Sequence, residues 1–61
     1  MNATSFVAMP MMQSYSPAKS FTRADEALQF AENAARQLGV AYAVWQRLPR
    51  LRLLRTFAAP K

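Results

Sequence analysis

The residues of this sequence best suited to chemistry are arginines that cluster toward its C-terminal end. Five of the eight basic residues follow residue 46, with no acid among them: Arg47, Arg50, Arg52, Arg55 and Lys61. A guanidinium group grips carboxylate or phosphate with two parallel hydrogen bonds and stacks on aromatic rings. Tryptophan and arginine are also enriched at binding hot spots, and Trp45 precedes the cluster. The pattern predicts a partner-binding surface of Trp45, Arg47, Arg50, Arg52 and Arg55 for an acidic partner.

Two plainer interpretations of the same residues remain open. Charged side chains at an exposed strand often serve only to keep the edge of a sheet soluble, and the arginines fit that role equally well. Trp45 is the main core aromatic if the strand register is the reverse of the one preferred below.

The groups that most catalytic and cofactor sites require are missing from the sequence. It has no histidine and no cysteine, and its single glycine, Gly39, rules out a glycine-rich phosphate loop. The three carboxylates, Asp25, Glu26 and Glu32, fall on the polar side or first turn of one predicted helix, where acids are usually solvated. We therefore expect a non-enzymatic protein with no cofactor and no metal site.

The length and net charge of the chain further limit its expected size, oligomeric state and partners. A chain of 61 residues makes one domain with a thin core, and without cysteine it has no disulfide to support that core. We expect a homodimer or a docked subunit. The net charge of +5 favours an acidic protein or nucleic acid as partner. No apolar run approaches the ~18 residues of a membrane span, so we expect a cytoplasmic protein without a membrane partner.

The clearest predicted element is a helix from about Arg23 to Leu38. Apolar residues recur there at spacings of three and four: Ala24, Ala27, Leu28, Ala31, Ala34, Ala35 and Leu38. Thr22 is the predicted N-cap, with Asp25 three residues later. Gly39 is predicted to end the helix in a left-handed cap, with Val40 folding back onto the last turn.

A hairpin is predicted over residues 40–58, with Pro49 in its turn. If Pro49 and Arg50 are the central turn residues, Trp45 faces Leu54 and Arg47 faces Arg52. In the same register, Tyr42 faces Phe57 and Val44 faces Arg55. Alternation then gives two faces. The face expected to meet the helix holds Tyr42, Val44, Gln46, Leu48, Leu51, Leu53, Arg55 and Phe57. The solvent face holds Ala41, Ala43, Trp45, Arg47, Arg52, Leu54 and Thr56.

The N-terminal segment gives a weaker pattern. We interpret residues 11–15 as an edge strand, and residues 1–10 as a candidate flexible arm. Met9, Met11 and Met12 fit either core filling or an adaptable binding surface. The predicted fold class is α+β, a small single-layer βαββ domain over residues 1–61, with one Ala-rich helix packed on a short antiparallel sheet.

The succession of these elements resembles that of small accessory proteins from bacteriophages and mobile elements. The pattern consists of Phe-Thr-Arg-Ala-Asp-Glu-Ala at the helix start, Leu-Gly-Val at its end and Tyr-Ala-Val-Trp in the next strand. The resemblance covers about residues 20–58 and transfers no functional residue. It implies the cytoplasm of a bacterial host, and either an inhibitor of host enzymes or defence complexes or a nucleic-acid binder.

Two functions from different classes follow from this reading. The first is a protein-binding module that modulates or inhibits a larger host or viral complex through its Trp/Arg hairpin. The alternative is a nucleic-acid-binding protein, with hairpin arginines on phosphates and Trp45 or Tyr42 stacked on bases.

Overall fold

The structure, a computed structural model, describes residues 3–11 and 18–59. Within these ranges the elements are β1 (Ser5–Pro10), β2 (Lys19–Phe21), α1 (Ala24–Leu38), β3 (Tyr42–Leu48) and β4 (Arg52–Phe57). The helix packs on a four-stranded antiparallel sheet, which confirms the predicted α+β class. Two strands precede the helix where the sequence analysis placed one.

The helix ends where its sequence predicts and begins one residue later than expected. Gly39 has the left-handed backbone (φ 68°) that a glycine tolerates, and its N–H donates to the Ala35 carbonyl at 3.0 Å. Thr22 is not the N-cap, which corrects that prediction. Arg23 occupies the cap without a side-chain cap bond, and its guanidinium instead pairs with Asp25, Nε to Oδ1 at 3.3 Å.

The sheet has the order β2-β1-β3-β4, so its two inner strands come from opposite halves of the chain. Ser5–Pro10 is inner strand β1 rather than a flexible arm. The edge strand beside it is Lys19–Phe21. Of the predicted edge strand at residues 11–15, only Met11 is described; it lies in a bend, and its N–H donates to the Ala41 carbonyl at 2.8 Å. Residues 12–15 lie outside the described part of the chain.

The core lies between α1 and one face of the sheet. Its buried cluster consists of Phe6, Ala8, Ala27, Ala31, Ala34, Ala35, Tyr42 and Val44. Because the helix contributes only alanines to this cluster, its axis can lie close to the strands. Phe30, which the sequence analysis assigned to neither helix face, packs between Phe21 and Tyr42 with ring centroids 5.4 and 6.2 Å away. Leu38, predicted in the apolar stripe, is 48% exposed.

The predicted hairpin is present, but only half of its predicted register is correct. Tyr42 pairs with Phe57 and Val44 with Arg55, as expected. A β-bulge then intervenes, because Trp45 pairs with Leu53 and leaves Leu54 as an extra residue on β4. The predicted pairs Trp45–Leu54 and Arg47–Arg52 are therefore wrong.

Because of the bulge, Leu54 and the β4 residues before it lie on the opposite face of the sheet from the one predicted. Leu54 packs against the helix-side core, whereas it was expected on the solvent face. Leu53, expected to meet the helix, shares the opposite face with Trp45. Arg52 pairs with Gln46, which puts it on the helix side rather than beside Trp45.

Candidate partner-binding surface

The sheet face opposite α1 is covered by no described element, and we call it the open face. Its side chains form two rows across the inner strands and β4. One row runs Val7, Trp45, Leu53, and the next runs Met9, Ala43, Thr56. Cross-strand partners in a row project on the same side of a sheet. Four of these six residues, Val7, Met9, Trp45 and Leu53, present apolar surface to solvent, whereas Ala43 is buried among its neighbours.

The centre of the open face is a shallow concavity of about 470 Å³, open to solvent. It is lined by Val7, Met9, Trp45, Arg47 and Leu51. Trp45 and Val7 are half-buried, while Leu51 in the hairpin turn is 72% exposed. Trp45 thus lies where the sequence analysis placed it, on the face away from the helix, and the alternative of a core tryptophan under the helix is wrong.

The five predicted site residues do not share one surface. Trp45 and Arg47 lie together on the open face. Arg52 and Arg55 pair with Gln46 and Val44, two residues apart on β3, so both project on the helix side at the outer strand of the sheet. Regular alternation of side chains along β4 would have placed Arg52 and Arg55 on opposite faces of the sheet. The bulge between them brings both to the helix side. Arg50 is exposed in the turn between the strands.

Two of the basic side chains have aromatic neighbours on the helix side. The guanidinium carbon of Arg55 lies 4.9 Å from the Phe57 ring centroid. The Lys19 ammonium lies 5.6 Å from the Phe21 ring and 5.9 Å from Phe30. Such cation–π contacts contribute ~0.5–1 kcal/mol at exposed sites. Both cations therefore contribute to local packing around the core.

The carboxylates lie on the other layer of the molecule. Asp25, Glu26 and Glu32 are exposed on α1, and Asp25 forms an ion pair with Arg23. Within the described ranges, no three acidic, histidine or cysteine side chains come together as metal ligands would. In the same ranges, no helix has the length and apolar character needed to cross a membrane.

Sequence reasoning missed four residues that shape the open face: Val7, Met9, Leu51 and Leu53. Val7 and Met9 belong to β1, which pairs with the sequence-distant strand β3. No local sequence pattern predicts that pairing. Leu51 and Leu53 were assigned to the wrong face because of the bulge. A signal for Met9 did exist, since methionine suits adaptable binding surfaces.

Comparisons with protein-family models, with characterised proteins and with solved structures found no match to this chain.

Proposed function

We propose that this protein is a non-enzymatic binding module that docks onto a larger acidic protein through its open face and thereby modulates that protein's assembly. The observation that carries the proposal is a half-buried tryptophan at the centre of an uncovered, largely apolar sheet face. Contiguous exposed apolar surface on a small soluble domain commonly marks an interaction site.

The distribution of charge on the open face supports a protein partner over nucleic acid. Of the residues that the described strands present there, Arg47 alone is charged. A nucleic-acid platform combines stacking aromatics with several cations that follow the phosphate backbone. Arg52 and Arg55 project on the other side of the sheet from Trp45, so they cannot serve such a platform together with it.

Trp45 and Arg47 have different roles in this proposal. Trp45 is the anchor, because a large ring at the centre of an interface loses its remaining solvent exposure on docking. Arg47, exposed at the rim of the concavity, pairs with a carboxylate of the partner and mainly orients the encounter. Arg50, two residues beyond the end of β3, adds to the positive field at the same end of the hairpin.

The proposal is tested by capture from a lysate of the source cells with the immobilised protein, with and without nuclease. We expect protein bands that survive nuclease treatment, that are lost with Trp45→Ala and that are weakened with Arg47→Ser. Arg52→Ser is the matched control, because it removes the same charge from the other side of the same hairpin.

Two outcomes contradict the proposal. Bands that disappear with nuclease, together with direct binding of an oligonucleotide whose affinity falls steeply with salt, would identify a nucleic-acid binder. Equal losses with Arg52→Ser and Trp45→Ala would show that the open face is not the docking surface.

A further inference from the structure

The turn of the β3–β4 hairpin carries two leucines whose side chains lie largely in water. Leu48, the last residue of β3, is 51% exposed, and Leu51, just before β4, is 72% exposed. Both belong to the loop that follows the last residue pair of the hairpin, Gln46 with Arg52. We call residues 47–52 the hairpin tip. A single exposed leucine is ordinary at a protein surface, so the neighbours of these two leucines decide what the tip can bind.

Arginines flank the two leucines on both sides of the hairpin. Arg47 lines the concavity of the open face, whereas Arg52 projects on the helix side through its pairing with Gln46. Arg50 lies between them in the turn, and all three arginines are exposed. A surface that covers the open face meets Arg47 but not Arg52. A surface that the tip enters end-on meets all three arginines together.

Acidic residues offset only part of this positive charge. The sequence has no acid in residues 33–61. The first turn of α1 lies at the same end of the molecule as the tip, because Glu26 lines a hollow with Ser5, which pairs with the last residue of β3. Asp25 of that turn is ion-paired with Arg23, and the three tip arginines outnumber Glu26. This end of the molecule is therefore positive and attracts an anionic surface.

We propose that the hairpin tip binds an anionic phospholipid surface, with its two leucines at the boundary of the acyl chains and its three arginines on headgroup phosphates. Segments that bind the membrane interface bury apolar side chains about 5–10 Å into this boundary. Arginine keeps its apolar stem at that depth while its guanidinium reaches the phosphates, which it holds with two parallel hydrogen bonds.

A lipid surface suits the tip better than the other anionic partners. Nucleic acid would engage the arginines, but its phosphate backbone has no apolar region for Leu48 and Leu51. An acidic protein on the open face would leave Arg52 on the far side of the sheet. The expectation of no membrane partner rested on the lack of an apolar run long enough to span a bilayer. That reasoning concerns spanning segments and not surface binding.

Membrane binding by the tip goes beyond the proposed function and does not rest on it. Arg47 and Leu51 line the concavity of the open face and also belong to the tip. Leu48 and Arg50 belong to the tip and are not among the residues that line that concavity. Substitutions of Leu48 and Arg50 therefore test lipid binding separately from the capture of a partner protein.

Flotation of the full chain with phospholipid vesicles tests the proposal. Neutral vesicles of phosphatidylcholine are compared with vesicles that also contain about 30% phosphatidylserine, which gives them a negative surface potential. We expect the protein to float with the anionic vesicles and to stay in solution with the neutral ones. A chain that does not bind anionic vesicles at about 0.1 M salt, where attraction still extends about 10 Å from the surface, overturns the proposal.

A matched pair of leucines tests whether the tip enters the lipid. Leu48 and Leu38 are 51% and 48% exposed, and Leu38 ends α1 near the opposite end of β3. Leu48→Gln should weaken vesicle binding by about tenfold, because an apolar side chain no longer enters the acyl boundary. Leu38→Gln should leave binding within about twofold. Equal affinities of the two variants would mean that a basic protein only adsorbs to the charged surface, which overturns the proposal.

A matched pair of arginines tests whether the charges act at the tip. Arg50 lies in the turn and Arg36 in the last turn of α1, and both are exposed. Arg50→Gln should weaken binding to anionic vesicles by about fivefold, the typical effect of one basic residue near the surface. Arg36→Gln should change binding by less than about twofold, because screening confines the attraction to about 8–10 Å from the membrane. Equal losses would show that only net charge matters and would overturn the assignment to the tip.

Circular dichroism of each variant checks that it folds, and Leu48→Ala replaces Leu48→Gln if that variant does not. Vesicle binding with the expected variant behaviour, but no captured protein, would remove the proposed function alone. Captured protein that depends on Trp45, together with no binding to anionic vesicles, would remove only the membrane proposal.

Discussion

The two faces of the sheet use the same strands for different purposes. On β3, Tyr42 and Val44 point under the helix and are fully buried, whereas Ala43 and Trp45 point to the open face. The covered face meets a helix that contributes only alanines to the buried cluster, so backbone and small side chains approach closely. The open face keeps large apolar side chains partly in water. Under the proposed function, the two-residue period of a strand separates the face that stabilises the fold from the face that binds a partner.

The largest test of this difference is Tyr42→Ala on the covered face. Truncating a fully buried aromatic ring leaves a cavity and typically costs about 3–5 kcal/mol. We expect most of the stability of so small a domain to be lost, measured by urea unfolding followed by circular dichroism. A loss below about 1 kcal/mol would contradict the assignment of this face as the core.

Gly39→Val tests whether the helix end holds the covered face in place. No heavy atom lies within 4 Å of an added Cβ at Gly39, so the expected penalty comes from the backbone. A β-branched residue held at positive φ should cost about 1–2 kcal/mol. Gly39→Asn should cost less, since asparagine tolerates this conformation. Thermal melts of the two variants compare them, and equal melting temperatures would argue against a strained cap.

Trp45→Ala sharpens the comparison, because it lies three residues from Tyr42 on the same strand. Trp45 is only half-buried, so its removal should cost about 1 kcal/mol of folding free energy, well below the loss for Tyr42→Ala. Trp45→Ala should nevertheless abolish nearly all capture of the partner protein. If the Trp45 variant unfolds instead, Trp45 belongs to the core and the separation of the two faces fails.

The smallest expected effect is that of Arg52→Ser. Arg52 is exposed on β4, on the opposite side from Trp45, and a surface change of this kind usually alters stability by less than about 0.5 kcal/mol. Binding should also be unchanged, unlike that of Arg47→Ser, as measured by titration of the captured partner. A binding defect for Arg52→Ser equal to that for Arg47→Ser would extend the interface around the edge of the sheet.

Local signals predicted the elements that depend on local physics. The helix end at Gly39 and the turn at Pro49 were predicted correctly, because each depends on the conformational preference of one residue. The helix start was misplaced because the Thr22 hydroxyl pattern suggested a cap, whereas Arg23 takes that position without a side-chain bond. Trp45 was placed on the correct face, since its half of the hairpin alternates regularly.

The remaining errors come from two non-local causes. The bulge at Leu54 shifts the register by one residue, and the sequence around it reads as an ordinary strand. As a result, Arg52 and Leu53 were assigned to the wrong faces. The inner position of β1 depends on pairing with β3, which brings Val7 beside Trp45. Residues 1–10 were therefore interpreted as a flexible arm, although Ser5–Pro10 forms this inner strand.

The strand order also has a consequence for how the chain folds. Phe6 pairs with Gln46, so the two central strands, β1 and β3, are far apart in the sequence. An isolated hairpin is at best marginally stable in water. Strands β3 and β4 therefore need β1 to pair with β3 before they form stable structure. Contacts so distant in sequence raise the contact order and slow folding. The helix and the hairpin should therefore acquire stable structure in a single cooperative step, and a ribosome-bound chain lacking β3 should remain unfolded.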